Sequence, residues 1–169
     1  MKIAKKDQKI IAYLRQDSRI QLTKLSRKTG IPVSTLFERI KSLTNTVIRK
    51  PTITLRFSEI GYQLQVFVMI KSQGKNRSDI IEFLAKNKNV NSVWRINNHF
   101  DILAEMVFRN LADFDEFIQN LEERFILRDI EFEFVVNEVE REKFFADPNL
   151  IELLNNEIKT KTLQKSELF

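Results

Sequence analysis

Residues 22–43 carry the pattern that most constrains the fold. Apolar residues recur at helical spacing in two short stretches, at Leu22 and Leu25 and then at Leu36, Ile40 and Leu43. Gly30 separates the stretches, and glycine suits the left-handed position just past a helix end. Pro32 is tolerated in the first turn of a new helix. The spacing predicts a helix-turn-helix, whose second helix can lie in the major groove of DNA.

Charge is divided unevenly along the chain. Residues 1–56 hold 14 Lys and Arg against 3 Asp and Glu, and residues 57–169 hold 14 against 20. Clustered positive charge binds phosphates by releasing counterions, whatever the base sequence. Because the basic stretch contains the helix-turn-helix, it predicts double-stranded DNA as a partner. A solvated surface with a chance surplus of lysine is the alternative.

Composition narrows the class of protein. A hydrophobic fraction of 43% with 14 Phe is sufficient for a packed core. The absence of cysteine excludes disulfides and cysteine nucleophiles. No apolar run has the length of a membrane span, and the N-terminus lacks the apolar region of a signal peptide. We expect a cytoplasmic protein with no membrane partner, no metal and no cofactor.

The elements predicted along the chain define an α+β protein. A first helix is expected over 7–15, before the helix-turn-helix, and β-branched residues at 47–48 and 52–57 suggest a small wing or a connecting strand. Strand spacing at 64–70, 90–97, 101–108 and 130–139 alternates with helical spacing at 76–86 and 110–125. The order βαββαβ is typical of a ferredoxin-like domain.

A weak internal repeat supports two βα halves. Asn76-x-x-Asp79-x-x-Glu82-Phe83 recurs 34 residues later, beginning at Asn110. Each Asn is expected to cap a helix. The predicted domains are a helix-turn-helix at 1–56, a linker at 57–62, the ferredoxin-like domain at 63–142 and a helical extension at 143–169.

The strands of the second domain are apolar on both sides. Five side chains oppose the faces that would pack on the helices: Phe67, Met69, Leu103, Val107 and Val135. A sheet with two apolar faces needs a second cover. We expect a second copy of the same sheet, and partial cover by the C-terminal tail is the alternative.

The chain resembles the Lrp/AsnC (leucine-responsive/asparagine regulator) family of transcription factors over roughly residues 5–142. The resemblance is carried by D-Q-K-I-I-A-Y-L at 7–14, L-T-K-L-S-R-K-T-G-I at 22–31, S-T-L-F-E-R-I at 34–40, Gly61-Tyr62 and H-F-D-I-L at 99–103. It implies homodimers formed through the sheet domains, often assembled into tetramers or octamers. It also implies an amino acid or related effector near the turn between the second and third sheet strands.

The effector turn departs from the family pattern. The family usually has Gly-x-Tyr-Asp there, and this chain has Asn98-His99-Phe100-Asp101. Asn tolerates a positive φ, whereas the change from Tyr to Phe removes a hydroxyl. Relatives with an effector often carry Ser or Thr in the last strand, which here reads Phe132-Glu133-Phe134. If a ligand binds, Asn98, Phe100 and Asp101 are the expected contacts.

Candidate DNA contacts lie on and after the second helix of the motif. They are Ser34, Thr35, Phe37, Glu38, Arg39, Lys41, Arg49 and Lys50. Glu38 can accept a hydrogen bond from cytosine N4, and Phe37 can contact a thymine methyl. Alternatively, Glu38 pairs with Arg39 or Lys41, and Phe37 packs against the wing. The four basic residues are expected at phosphates, which position a protein without reading sequence.

These features predict a sequence-specific transcriptional regulator rather than an enzyme. The single histidine, His99, has no carboxylate, Ser or Lys that the sequence places beside it. Two alternatives remain at this stage. One is a low-specificity architectural DNA-binding protein, and the other is an enzyme similar to the haem-pathway decarboxylases that share this architecture.

Overall fold

The computed structural model describes residues 3–97 and 99–151. The chain forms two compact units. Among the described residues, one unites 3–53 with 139–151, and the other comprises Thr54–Glu138. The segment after the sheet domain thus groups with the N-terminal residues. We call the first the DNA-binding unit and the second the sheet domain.

Three helices build the DNA-binding unit: α1 Lys5–Gln16, α2 Leu22–Thr29 and α3 Val33–Thr46. Each presents apolar residues at helical spacing to a common core, which explains why the three pack together. The buried members of that core are Ile10, Ile11, Leu25, Ile31, Leu36 and Leu43. The predicted helix-turn-helix is therefore present.

The turn between α2 and α3 depends on two residues. Gly30 is left-handed, with φ 69°, and its N–H donates to the Ser26 carbonyl. The Ser26 hydroxyl donates to the Ile31 carbonyl at 2.6 Å, so this small side chain ties the two ends of the turn together. Pro32 differs slightly from expectation, because it occupies the N-cap and α3 starts one residue later.

The strands predicted after α3 do not form. Residues 48–56 contain neither helix nor strand, so the expectation of a small wing or connecting strand was wrong. β-branched residues favour extended backbone, but a strand also needs a hydrogen-bonded neighbour. A short 3-10 helix, Phe57–Ile60, follows and ends at the left-handed Gly61.

The sheet domain has the predicted βαββαβ order. Its strands are β1 Leu64–Ser72, β2 Val90–Arg95, β3 Ile102–Phe108 and β4 Leu127–Phe134, and its helices are α4 Arg77–Lys86 and α5 Leu111–Arg124. The strands form one antiparallel sheet in the order β2-β3-β1-β4. The chain is therefore an α+β protein with a helix-turn-helix and a ferredoxin-like domain, as the sequence predicted.

One predicted strand was displaced. We expected the last strand over 130–139, whereas β4 spans Leu127–Phe134. Its neighbour β1 begins at Leu64, and the backbone pairing ends where the Val135 N–H donates to the Gln65 carbonyl at 2.9 Å. Val136 and Val139 lie beyond this neighbour and are 99% and 89% exposed. Their β-branched side chains favoured a strand that has no partner there.

Helices α4 and α5 cover one face of the sheet. That face supplies Val66, Val68 and Ile70 from β1 and Ile102, Ala104, Met106 and Phe108 from β3, and the helices supply Ile80, Leu84, Phe114, Phe117 and Leu121. Phe114 makes edge-to-face contacts with Phe132 and Phe134 of β4, at centroid distances of 5.0 and 5.4 Å. Aromatic residues therefore close the edge of this core.

The two Asn residues of the internal repeat differ. Asn110 caps α5, since its side-chain oxygen accepts from the Asp113 N–H at 2.9 Å. Asn76 precedes α4 but makes no cap hydrogen bond, and its amide nitrogen donates to the Ile126 carbonyl at 3.0 Å instead. The prediction of a cap was right for Asn110 and wrong for Asn76.

Candidate nucleic-acid interface and effector site

Helix α3 is amphipathic, with one side in the core and the other in solvent. Leu36 and Leu43 are 0% and 6% exposed and fix the inner side. The outer side carries Ser34, Thr35, Glu38 and Lys41, all exposed, and Phe37, which is 56% exposed. A half-exposed aromatic ring beside a carboxylate and an ammonium is available to contact another molecule.

Arg39 differs from the other candidate DNA contacts. Its Nη1 donates to Asp7 Oδ1 of α1 at 2.7 Å, and its Nε is buried without a hydrogen bond among the described residues. The side chain is about one-third exposed. Arg39 therefore holds α3 against α1, a role that sequence spacing did not predict. Of the four basic candidates, Lys41, Arg49 and Lys50 are exposed.

The alternative contacts expected for Glu38 and Phe37 are not found among the described residues. Arg39 pairs with Asp7 rather than with Glu38, and in the described part of the chain no ion pair to Glu38 is found. Phe37 has no wing strand to pack against, because residues 48–56 form none. Both side chains are consequently available at the surface of α3.

The turn between β2 and β3 is tied to β1. The Ile96 N–H donates to the Asp101 carbonyl, and the Asp101 N–H donates to the Ile70 carbonyl, both at 3.0 Å. Phe100 is buried, at 8% exposure, so its ring anchors the turn. The third predicted effector contact, Asn98, lies outside the described residues.

Asp101 is held as a carboxylate by its neighbours. The Ser72 hydroxyl donates to Oδ2 at 2.7 Å, the Ser72 N–H donates to the same oxygen at 3.0 Å, and Lys71 Nζ lies 3.2 Å from Oδ1. These interactions, led by the Ser72 hydroxyl, lower the pKa of Asp101 despite its partial burial. The carboxylate is therefore charged at neutral pH.

A cavity of about 420 Å³ adjoins this carboxylate. It is lined by Lys71, Ser72, Gly74, Lys75, Arg77, Ser78 and Asp101. Three cations and one carboxylate on the same wall can pair with both charges of a zwitterion. The sequence pointed to Asp101 but not to the basic residues, because Lys71 lies in β1, Lys75 in the loop after it and Arg77 at the start of α4.

His99 contacts a different carboxylate. Its Nε2 lies 2.9 Å from Asp129 Oδ2, and this hydrogen bond is the main cause of a lowered pKa for Asp129. Both side chains are exposed. The sequence placed no carboxylate beside His99, so Asp129 was missed; it lies on β4, 30 residues away in the chain.

The face of the sheet opposite the helices carries the predicted apolar residues. In the strand register Gln65 pairs with Val107 and Met69 with Leu103, while the side chains of Val66, Val68 and Ile70 point to the helix side. Phe67, Met69, Leu103 and Val135 are half-buried, and Val107 is 8% exposed. We call this surface the open face.

Two features of the open face were not predicted. Glu105 lies in its centre and is 3% exposed, and it accepts hydrogen bonds from the side chains of Gln65 at 2.7 Å and Asn91 at 2.6 Å. Trp94 pairs with Leu103 and is 43% exposed. A bulge between Val90 and Ser92 shifts the register of β2, which hides Trp94 from simple alternation.

Within the described ranges, two kinds of feature were not found. No group of three or more His, Cys, Asp or Glu side chains is arranged to hold a metal ion. No helix there has the length and apolar character needed to cross a membrane.

Comparison with known proteins matches two parts of the chain to two families. Residues 3–46 match the winged helix-turn-helix DNA-binding family, and residues 65–143 match the Lrp/AsnC ligand binding domain. An HTH-type transcriptional regulator of Pyrococcus furiosus is 32% identical over 122 residues, which cover 72% of this chain and 82% of the relative. The leucine-responsive regulatory protein of Rhizobium meliloti is 29% identical over a stretch that covers 66% of this chain and 74% of that protein.

Solved structures share the same fold. A transcriptional regulator of Neisseria meningitidis, crystallised as a complex with L-Met, superposes with a TM-score of 0.76 at 22% identity. The superposition covers 83% of this chain and 94% of the Neisseria chain. AsnC of E. coli superposes with the same TM-score at 16% identity and covers 86% and 99%. The chain belongs to the Lrp/AsnC family of helix-turn-helix transcriptional regulators. The relatives named above are described as transcriptional regulators or regulatory proteins.

Proposed function

We propose that this regulator binds specific DNA sites as a homodimer and reads them with the outer side of α3. The observation that carries the proposal is the way α3 is held. Leu36 and Leu43 anchor it in the core, and Arg39 ties it to Asp7. The side chains of α3 that remain in solvent therefore have a defined geometry. They belong to residues 1–56, in which Lys and Arg outnumber Asp and Glu by 11.

The exposed side chains of α3 have complementary tasks in this proposal. Glu38 accepts a hydrogen bond from cytosine N4, and Phe37 contacts a thymine methyl. Ser34 and Thr35 lie in the first turn, from which recognition helices contact base edges. Lys41, Arg49 and Lys50 pair with phosphates and set the register on the duplex.

A second copy of the chain, docked on the open face, is the proposed dimer partner. Phe67, Met69 and Leu103 together with Trp94 form an apolar surface of the kind that marks association sites. Two-fold symmetry then gives half-sites about 10 base pairs apart, or a multiple of that. Dimers can assemble further into tetramers or octamers, as the family resemblance implies.

For the effector we propose an amino acid bound in the cavity beside Asp101. The Asp101 carboxylate pairs with the ammonium group, and Lys75 or Arg77 pairs with the carboxylate group. Phe100 and Asn98 remain predicted contacts of this ligand. The Neisseria neighbour in complex with L-Met supports an amino acid as the class of ligand.

The central experiment recovers DNA fragments bound by the protein from genomic DNA and then measures affinity for the recovered site and for bulk DNA. A specific regulator should prefer its site by roughly a thousandfold at physiological salt. A ratio near one would favour the architectural alternative. The half-site spacing in the recovered fragments tests the two-fold arrangement.

Substitutions separate base reading from phosphate contact. Lys41→Ala should weaken binding to all sequences alike and reduce the slope of log affinity against log salt by about 1. Glu38→Ala should instead relax the preference at one base pair. Arg39→Ala should lower the stability of the DNA-binding unit, because it breaks the bond to Asp7. A Lys41→Ala protein with unchanged affinity would remove Lys41 from the interface.

The dimer and the effector have separate tests. Phe67→Asp introduces a charge on the open face and should shift the solution mass toward the monomer, whereas Phe37→Asp on α3 should not. For the effector, calorimetric titration with L-methionine should give heat with the parent protein and none with Asp101→Ala. Binding that survives this change would place the ligand elsewhere.

A further inference from the structure

The segment after the sheet domain packs on the DNA-binding unit. We call residues 139–151 the C-terminal segment. Phe145 packs against the core of the three helices, and Arg15 of α1 donates through Nη2 to the backbone carbonyl and to Oε2 of Glu142, at 2.8 and 2.6 Å. Ile151 is 2% exposed. The C-terminal segment therefore contacts the helices through apolar, ionic and backbone interactions.

Helix α1 is enclosed on more than one side. Ile10, Ile11 and Ala12 are 0%, 8% and 0% exposed, although they are consecutive. Since successive residues of a helix point about 100° apart, these three side chains span roughly 200° of its circumference. A helix packed on one side buries a narrower stripe. Phe145 packs against the same core, and Glu142 accepts a hydrogen bond from Arg15 of α1.

The backbone of the C-terminal segment is strained where it makes contact. Among the described residues, the non-glycine positions with positive φ are Glu142, at 58°, and Phe145, at 62°. Such backbone persists where surrounding interactions hold it in place. Both residues make contacts described above, Glu142 with Arg15 and Phe145 with the core.

The sheet domain is inserted between the two parts of the DNA-binding unit. It is connected to them before β1 and after β4, and these strands are neighbours that run antiparallel. The start of β1 and the end of β4 meet at the Val135–Gln65 hydrogen bond. Both connections therefore leave from the same end of the sheet. The match to the ligand binding domain ends at residue 143, just before Phe145.

We propose that the C-terminal segment is a strap that sets DNA affinity. Docked on α1, it holds the three helices in the arrangement that presents α3. When it is released, α1 loosens and DNA affinity falls. The strap gives the sheet domain a second attachment through which a change at that end of the sheet reaches the DNA-binding unit. The effect on affinity rests on the DNA-binding function proposed above, whereas docking does not.

Adjacent phenylalanines provide a matched pair of variants. Phe145→Asp, made in the full chain, should lower DNA affinity at least tenfold and speed hydrogen exchange of the α1 amides, with exchange in β1 and β3 unchanged. Phe144 is 82% exposed, and its ring lies 5.9 Å from that of Phe145, so Phe144→Asp adds the same charge one residue away and should change both measurements far less than Phe145→Asp. Equal effects of the two variants, or no effect of Phe145→Asp on hydrogen exchange in α1, would overturn the proposal that the C-terminal segment is a strap.

A charge exchange tests the same docking without removing an apolar side chain. Arg15→Glu and Glu142→Arg should each speed α1 exchange, and the double variant should restore part of the protection. Absence of rescue would show that the pair does not hold the segment. Should the parent protein fail to bind DNA, the proposed function falls, while α1 exchange still decides whether the segment docks. Faster α1 exchange with unchanged DNA affinity would confirm docking and reject control of affinity.

Discussion

The DNA-binding unit and the sheet domain differ in how much apolar material each can bury. Among the described residues, the buried hydrophobic cluster of the helices has six members and that of the sheet domain has twelve, among them Phe108, Phe114 and Phe117. A smaller core removes less apolar surface from water and therefore contributes less stability. Phe145, from the segment after the sheet domain, packs against this smaller core.

This difference shows how the two units obtain stability by different means. The sheet domain combines backbone pairing over four strands with a larger core, and the Lys71–Asp101 ion pair adds to them. In the DNA-binding unit, ion pairs from α1 to Arg39 and to Glu142 supplement a small core. We therefore expect the DNA-binding unit to be the more sensitive of the two to substitution.

Equivalent core deletions give the largest expected effect. Leu36 in α3 and Leu84 in α4 are both 0% exposed, so each change to Ala should cost about 2–5 kcal/mol. We expect Leu36→Ala to unfold the DNA-binding unit and abolish DNA binding, and Leu84→Ala to leave a folded sheet domain. Hydrogen exchange resolved by segment checks this. If Leu84→Ala unfolded the sheet domain while Leu36→Ala left the DNA-binding unit folded, the order of stability would be reversed.

Acid should affect the sheet domain through Asp101. Folding lowers the pKa of this carboxyl below the ordinary Asp value of about 3.9. The charged carboxylate therefore stabilises the folded domain fully above that pH, and this stabilisation is lost as the pH falls through the folded pKa. Asp101→Asn should therefore cost about 2 kcal/mol at pH 7. The difference from the parent protein should shrink below about pH 4. Denaturant unfolding at several pH values measures it.

Ser72→Ala is the matched control for that measurement. It removes the hydroxyl that contributes most to the lowered pKa and should move the acid loss of stability to higher pH. An unchanged acid midpoint in Ser72→Ala would show that another group governs the titration.

The smallest expected effect compares the two helix starts of the repeat. Asn110→Ala removes a cap and should cost about 1 kcal/mol. Asn76→Ala should cost less, because the lost bond to Ile126 is offset by removing a buried side-chain oxygen that has no partner among the described residues. Thermal unfolding of the two variants decides the order, and equal costs would mean that Asn76 also acts as a cap.

Local patterns predicted most of the fold correctly. The helices followed from apolar spacing, and the βαββαβ order followed from alternation at β1 and β3. The failures share a cause. The stretch 52–57 and residues 136–139 have strand composition but no neighbouring strand, so propensity alone could not decide their structure. Asn76 resembles a cap by position, yet a carbonyl 50 residues away takes its side chain.

The candidate sites divide in the same way. The exposed residues of α3 and the apolar residues of the open face follow from periodicity, which fixes the side of an element on which a residue lies. The partners of those side chains come from distant parts of the chain. Arg39 binds Asp7, Glu105 binds Gln65 and Asn91, and Asp101 binds Ser72.

The sequence by itself determined the class of protein, its elements and the sides on which its surfaces lie, because these depend on spacing within short stretches. Tertiary structure alone decided which charges are free and which are paired, and that the C-terminal segment joins the first unit. Arg39 shows the difference most clearly. Its spacing and charge predict a phosphate contact, which stays a prediction, whereas only the approach of α1 places Asp7 Oδ1 2.7 Å from Arg39 and lets Arg39 support α3.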